Sequence, residues 1–212
     1  MAFCLSDCLA ALPLVAILRG LGPERAVEIG EALAAAGFRL VEVPLNSPDP
    51  FASIARLVEA LPADVMVGAG TVLDPADVDR LAAAGGRLVV MPHADGEVIR
   101  RAKALGLACA PGVAPPTEGF AALKAGADAL KLFPAETLGP AALKAWRAVF
   151  PGGTRFLPVG GITPETMGPW MRAGADGFGL GSALFTPAMS TAEVADKAAR
   201  FVSAWRELRA VR

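Results

Sequence analysis

AAAGFRLVEVP, at residues 34–44, is the first of four similar segments that decide the fold. In each segment an alanine-rich helical run ends at a glycine and an apolar strand follows. The other three are AAAGGRLVVMP (82–92), KAGADALKLFP (124–134) and RAGADGFGLGS (172–182). The segments recur about every 45 residues, which is too long for one strand–helix unit and suits two. The repeat therefore predicts a further strand between each pair of segments.

The missing strands can be found in the stretches between the repeats. PLVAILRG (13–20), VMVGAGT (65–71), LACAPG (107–112) and RFLPVGG (155–161) are short apolar runs bounded by glycine or proline. The predicted strands lie near 14–18, 38–44, 65–70, 87–91, 107–110, 128–133, 156–159 and 176–180, and a last helix runs from about Thr191 to Arg209.

Eight alternating strand–helix units predict a single (β/α)8 barrel of the TIM type, preceded by a short N-terminal helix. A doubly wound open sheet is the main alternative. No linker or change of composition marks a second domain. We therefore interpret residues 1–212 as one domain, with the barrel proper at about 13–207.

Composition and charge exclude several classes of protein. Hydrophobic residues make up 54% and charged residues 19% of the chain, which excludes a disordered protein. The formal net charge of -1 argues against a nucleic acid or an anionic membrane as partner. No apolar run approaches the ~18 residues that a membrane span needs. The N-terminus has no basic leader, so we expect no secretory signal.

The cysteines and the histidine limit the sites that the chain can form. Cys4, Cys8 and Cys109 do not make a disulfide framework, and we expect a reducing, cytoplasmic location. The one histidine is His93, so metal sites built on two or three histidines are excluded. We interpret His93, just after strand 4, as a residue at the rim of a site or as a structural residue.

Three charged residues late in predicted strands mark a candidate active site, because active sites of such barrels lie at the carboxyl ends of the strands. They are Arg19, Glu42 and Lys131. Counted from the glycines of the repeat, Glu42 and Lys131 are equivalent to Val90 and Gly179, so all four should share one interior layer. A buried lysine has a lowered pKa and becomes a nucleophile, and a nearby carboxylate can move protons. The alternative is an ion pair that only stabilises the core.

Further polar residues follow the strands. Thr71 ends VGAGT, where small residues leave room for a ligand, although its hydroxyl could instead cap the next helix. Asn46 and Ser47 follow strand 2 and could serve a site or only a turn before Pro48.

Two glycine loops predict a phosphate site. VGGIT (159–163) follows strand 7 and LGS (180–182) follows strand 8. Glycine lets backbone amides approach an anion closely, and barrels often bind phosphate at these two loops. The alternative is that both loops are only tight turns.

The order of these motifs resembles the family of 2-keto-3-deoxy-6-phosphogluconate (KDPG) and 2-keto-3-deoxy-6-phosphogalactonate (KDPGal) aldolases. The resemblance covers about residues 13–207 and is carried by AILRG (16–20), EVPLNSP (42–48), GAGTV (68–72), LKLFPAE (130–136), VGGITPE (159–165) and GLGSALF (179–185). It implies a homotrimeric class I aldolase that forms a Schiff base with a small phosphorylated keto acid and uses no cofactor and no metal.

The resemblance also assigns roles to residues. Lys131 matches the Schiff-base lysine and Glu42 the general acid–base. Thr71 matches a group that holds the pyruvyl carboxylate. The remaining matches, in the two glycine loops, are phosphate contacts: Gly160, Gly161, Gly181 and Ser182.

Two departures from the gluconate type resemble the galactonate branch of the family. Asn46 replaces an arginine that would hold the substrate carboxylate, so Arg19 is expected to supply this charge. Val159 stands where the gluconate type tends to have threonine. The expected reaction is cleavage of KDPGal to pyruvate and D-glyceraldehyde 3-phosphate. The alternatives are a KDPG or 4-hydroxy-2-oxoglutarate (KHG) aldolase, a sugar-phosphate epimerase and a non-catalytic sugar-phosphate sensor.

Overall fold

The computed structural model describes residues 4–210, in which helices alternate with parallel strands. The strands are β1 (Leu14–Ile17), β2 (Leu40–Pro44), β3 (Met66–Gly70), β4 (Leu88–Val90), β5 (Ala108–Ala110), β6 (Gly112–Val113), β7 (Leu130–Leu132), β8 (Phe156–Pro158) and β9 (Phe178–Leu180). The helices are α1 (Leu5–Ala11), α2 (Ala26–Ala36), α3 (Pro50–Ala60), α4 (Pro75–Ala83), α5 (Gly96–Ala104), α6 (Pro116–Ala125), α7 (Ala135–Arg147), α8 (Met167–Ala173) and α9 (Thr191–Ala210). The predicted α/β fold is confirmed. The predicted domain also includes residues 1–3 and 211–212, which lie outside the described residues.

Capping residues explain where the helices begin and end. Asp74 accepts a hydrogen bond from the backbone N–H of Ala76 (2.8 Å) at the start of α4, and Pro75 is the first helical residue. At the other end, the repeat glycine Gly37 follows α2 with a φ of 107°, a left-handed conformation that side chains disfavour. The glycines that mark the repeat therefore end helices, as the sequence pattern predicts.

The strands form two parallel sheets. The larger has the order β5-β4-β3-β2-β1-β9 and the smaller the order β6-β7-β8. Val159, just after β8, forms an isolated parallel bridge with Gly179 of β9. β5 lies at the opposite edge of the larger sheet from β9, and only Pro111 separates it from β6 of the smaller sheet. β5 lies within the predicted fifth strand, whereas β6 is a further short strand that the sequence did not predict. Pro111 interrupts the ladder between them, because proline has no N–H to donate.

The apolar core has two parts. The larger cluster packs helices against the outer face of the strands. The smaller cluster lies on the inner face and joins Leu5, Cys8 and Leu9 of α1 to residues of the strands, among them Val15 and Leu157. Helix α1 leads directly into β1, so it covers the amino ends of the strands. The carboxyl ends lie on the opposite side, and the loops there carry the predicted site.

No helix within residues 4–210 combines the length and the apolar character needed to cross a membrane.

Candidate active site

Lys131 and Glu42 lie on the inner face of the sheet. Lys131 is the middle residue of β7 and is 7% exposed, while Glu42 is the middle residue of β2 and is 1% exposed. Both line one small cavity of about 20 Å³, together with Val90 and Gly179. The structure therefore brings together the four residues that the repeat makes equivalent.

Burial changes the proton affinity of both groups in opposite directions. Burial raises the pKa of the Glu42 carboxyl to about 7, although the positive charges of Lys131 and Arg19 counteract it. Burial lowers the pKa of the Lys131 amine, and Arg19 lowers it further, while Glu42 opposes the shift. Each group is consequently closer to neutrality than it would be in water. Such a pair can exchange a proton at neutral pH.

The surroundings of Glu42 leave one carboxylate oxygen available. Within the described part of the chain, Glu42 Oε2 is buried and has no hydrogen-bond partner. Gly70, at the end of β3, lies directly against this carboxylate, and a Cβ at that position would overlap it. Gly70 is therefore favoured by its close approach to Glu42, whereas Gly68 of the same GAG run packs against the backbone of Leu88. An unpaired buried carboxylate oxygen carries a desolvation cost, which a substrate proton would relieve.

A second, larger cavity opens above the pair. Its volume is about 460 Å³, and four residues line both cavities: Ile17, Lys131, Val159 and Gly179. The remaining residues of its lining follow the carboxyl ends of the strands, in the loops or in the first turn of α7: Arg19, Phe133, Glu136, Gly160, Gly161, Ile162, Thr163, Gly181, Ser182 and Ala183. The lysine thus lies at the inner end of a space large enough for a small metabolite.

The two glycine loops meet on one side of this larger cavity. Gly160 and Gly161 both have positive φ values, of 112° and 65°, that residues with a side chain rarely adopt. Gly181 and Ser182 contribute from the loop after β9. Backbone and the residues Thr163 and Ser182 line this side, which are groups that suit an anion such as phosphate, and the Glu136 carboxylate lies beside Gly160 and Gly161.

Arg19 is anchored by the residue that replaces the gluconate-type arginine. Its Nη1 donates a hydrogen bond of 2.7 Å to Asn46 Oδ1. The backbone N–H of Gly20 donates to Ser47 Oγ at 2.9 Å, so the two loops are joined twice. Asn46 and Ser47 therefore do more than form a turn, since they hold the loop that carries Arg19 against β2.

Thr71 and His93 differ from the other predicted site residues, because neither lines either cavity in the described structure. Thr71 directly follows Gly70, and its φ of 56° is unusual for a β-branched residue. His93 is exposed and lies near Asp95, whose pKa is lowered chiefly by the hydrogen bond from the Val98 backbone N–H. The carboxylate-binding role of Thr71 stays a prediction.

Sequence reasoning missed three residues that the structure places at the site. Phe133 lies in the larger cavity, with its ring centre 4.8 Å from Lys131 Nζ. Phe133 could have been predicted from the sequence, because it comes two residues after Lys131 and the alternation of side chains along a strand places both on the same face. Glu136, in the first turn of α7, lines the larger cavity, and Leu5 of α1 lines the smaller one. Glu136 ends the LKLFPAE motif, which gave it no role, and no pattern in the sequence marks Leu5.

In residues 4–210, no group of three or more His, Cys, Asp or Glu side chains is arranged to hold a metal ion. Cys8 and Cys109 are buried, and Cys4 is exposed; all three are free thiols.

Comparison with known proteins places this geometry in a family. Residues 5–200 match the family model described as KDPG and KHG aldolase. The 2-dehydro-3-deoxy-6-phosphogalactonate aldolase of Escherichia coli strain K12 is 48% identical over 196 residues, which are 92% of this chain and 96% of that protein.

Solved structures agree with the sequence comparison. A structure described as native KDPGal has a TM-score of 0.92 and 47% identity, covering 94% of this chain and 97% of that one. A cube-shaped protein cage designed by fusing symmetric oligomeric domains contains a chain with a TM-score of 0.93 and 47% identity, covering 94% of this chain and 74% of that one. The chain belongs to the family of KDPG and KHG aldolases.

Proposed function

We propose that this chain is a class I aldolase that cleaves KDPGal to pyruvate and D-glyceraldehyde 3-phosphate. The observation that carries the proposal is the buried Lys131–Glu42 pair at the inner end of a cavity walled by two glycine loops. The galactonate substrate is supported by the 48% identical relative of that name.

The first step is formation of a Schiff base. The neutral Lys131 amine attacks the C2 ketone of the substrate and forms a carbinolamine. Glu42, with a pKa of about 7, can donate the proton that lets the C2 hydroxyl leave as water. Burial lowers the pKa of Lys131 and so favours the neutral, nucleophilic amine.

The second step breaks the C3–C4 bond. Glu42, now a carboxylate, accepts the proton of the C4 hydroxyl, and C4 becomes the aldehyde carbon of glyceraldehyde 3-phosphate. The electron pair of the broken bond moves to the protonated imine and gives an enamine. Protonation at C3 and addition of water then release pyruvate and the Lys131 amine. The imine is the electron sink, so the scheme requires no metal or other cofactor.

The remaining site residues orient the substrate. Arg19 and Thr71 are proposed to hold the pyruvyl carboxylate. The amides of Gly160, Gly161 and Gly181, with the Ser182 hydroxyl, are proposed to hold the phosphate. Binding energy from this remote phosphate would then position C2 against Lys131.

Closure of the fold, its assembly and its location belong to the same proposal. We infer that the two sheets form one closed (β/α)8 barrel within a single domain. The Val159–Gly179 bridge and the hydrogen bond from Lys131 N–H to the Pro111 carbonyl (2.9 Å) support closure on the two sides. A homotrimer in the cytoplasm is proposed from the family resemblance, and the cage of symmetric oligomeric domains supports an oligomer.

Arg19→Ala tests the carboxylate anchor. The variant should weaken binding of pyruvate by roughly 2–5 kcal/mol, the range for a charge-assisted pair that becomes desolvated. Isothermal titration with pyruvate measures the loss. Asn46→Ala removes only the side chain that holds Arg19 in place and should cause a smaller loss. Unchanged pyruvate affinity in Arg19→Ala would show that the carboxylate binds elsewhere.

Val159→Thr tests the substrate branch. The valine lines both cavities and cannot donate a hydrogen bond to the C4 hydroxyl, whereas threonine can. The wild-type chain should cleave KDPGal efficiently and KDPG comparably or less well. The variant should shift the ratio of kcat/KM values toward KDPG. A wild-type preference for KDPG of about ten-fold or more, with no shift in the variant, would reject the galactonate substrate and leave the aldolase chemistry standing.

A further inference from the structure

Leu5 of helix α1 lies in the wall of the cavity that contains Lys131 and Glu42. Of the residues that line this cavity, Val15 and Leu88 lie toward the amino ends of their strands, on the side that α1 covers. Leu5 is buried, with 7% of its surface exposed, and it lines the cavity from α1. Among the described residues, Leu5 is thus the part of α1 that lies against the space beneath the catalytic pair.

The cavity is small and mostly apolar. Its volume of about 20 Å³ is on the order of the space that one water molecule needs. Lys131 and Glu42 are the charged residues that line it, and the other lining residues are aliphatic or glycine. Additional water entering from the amino ends would reach the Glu42 carboxylate, whose Oε2 has no hydrogen-bond partner among residues 4–210.

We propose that helix α1 is a plug that keeps water away from the Lys131–Glu42 pair, and that Leu5 is a positioning residue of the active site acting from the opposite end of the sheet. The proposal rests on the proposed roles of Lys131 and Glu42. The amino-terminal face of such a fold ordinarily serves stability alone. Here that face also sets the proton balance of the catalytic pair.

The charged groups near the plug do not reach the pair. Asp7 of α1 accepts a hydrogen bond from the Cys4 backbone N–H (2.9 Å). Arg87, close enough to influence Cys8, donates to the carbonyls of Ala63 and Val65 at 3.1 Å. Arg155 contacts Ser6 Oγ at 3.5 Å. The pair itself is faced by Arg19, from the carboxyl side. Hydration through a gap at Leu5 would therefore act on Lys131 and Glu42 directly.

Water in the cavity would favour the charged forms of both groups. The free amine of Lys131 would then appear only at higher pH, because solvation stabilises the ammonium ion. In Leu5→Ala we expect the pH at which half of the Lys131 amine is free to rise by about one unit. The same change should reduce the proportion of molecules that hold a neutral amine beside a protonated Glu42 near pH 7.

The helix provides a matched control at the next turn. Leu9 lies four residues after Leu5, is 5% exposed and belongs to the same inner apolar cluster, but it does not line the cavity. Leu9→Ala removes the same atoms from the same helix and should lower stability by a similar amount. It should leave the titration of Lys131 unchanged. Leu5→Met keeps the wall filled and should also leave the titration unchanged.

The measurement is the rate of Lys131 acetylation by dilute acetic anhydride as a function of pH, followed by mass spectrometry of the peptide. This small reagent can reach Lys131 through the larger cavity, and its reaction does not depend on aldolase activity. A higher midpoint in Leu5→Ala alone supports the plug. Equal midpoints in wild type and Leu5→Ala, or equal shifts in Leu5→Ala and Leu9→Ala, overturn it.

Two additions keep the test decisive. If Leu5→Ala does not fold, Leu5→Val removes less of the wall and should give a smaller shift in the same direction, and no shift would overturn the plug. Trapping of pyruvate by borohydride in the wild-type chain tests the proposed function separately. Absence of trapping would reject the aldolase mechanism while the acetylation titration still judges the role of Leu5.

Discussion

Lys131→Arg should lower kcat/KM for KDPGal cleavage by several orders of magnitude. Arginine keeps a positive charge at the inner end of the cavity, but its guanidinium stays protonated and cannot form the imine that accepts the electrons of the C3–C4 bond. The loss should therefore appear in kcat more than in KM. A coupled assay of pyruvate release measures it, and circular dichroism shows whether the variant is folded.

Covalent trapping identifies the same residue without a mutation. Pyruvate and borohydride should add one pyruvyl-derived group to the wild-type chain, and peptide mapping should find it on Lys131. Lys144→Arg, on the exposed side of α7, is the matched control and should keep full activity and full trapping. Trapping at Lys103, Lys124 or Lys144 instead would remove Lys131 from the mechanism.

Glu42→Gln should reduce turnover by ~10²–10⁴, the range expected when a general acid–base is lost. Glutamine has nearly the same shape, so pyruvate binding should be retained better than turnover. Glu97→Gln, on the surface of α5, is the control and should be without effect. Turnover near that of the wild type would make Glu42 only a structural partner of Lys131.

The pH dependence of the rate, compared between the wild type and Glu42→Gln, gives a second readout. Burial raises the pKa of Glu42 to about 7, so the carboxyl is protonated below that pH and ionised above it. The wild-type rate should change across this region as the two forms interconvert. Glutamine does not titrate, and the variant should lose that inflection. An inflection that persists unchanged in Glu42→Gln would assign it to another group.

The location of the catalytic pair in the chain could be predicted from sequence, because it depends on local periodicity. Glycines that end helices place the strands that follow in a common register, and strand alternation then decides which side chains face inward. This reasoning placed Glu42 and Lys131, which are about 90 residues apart in the chain, in one interior layer. Both occupy the same position within a repeat that occurs four times. The same reasoning did not predict β6, the short strand that follows Pro111.

The loops after β8 and β9 were predictable for a related reason. A glycine pair directly after a strand indicates an unusual backbone, and the structure shows positive φ at both Gly160 and Gly161. That the two loops border one cavity with Lys131 and Arg19 follows from the strand order, which the repeat implies. Asn46 was recognised from its sequence motif. Its hydrogen bond to Arg19 was not predicted, because it is a side-chain contact between two loops.

The sequence by itself determined which elements form, their order, and which residues share the inner face, since these follow from spacing along the chain. Only the tertiary structure decided how far that face is shielded from solvent. Helix α1 covers the amino ends of the strands, so that Leu5 comes to lie beneath a glutamate and a lysine distant from it in the chain. Proton affinity depends on the solvent around a group in three dimensions, and it is packing that moves the pKa of Glu42 to about 7.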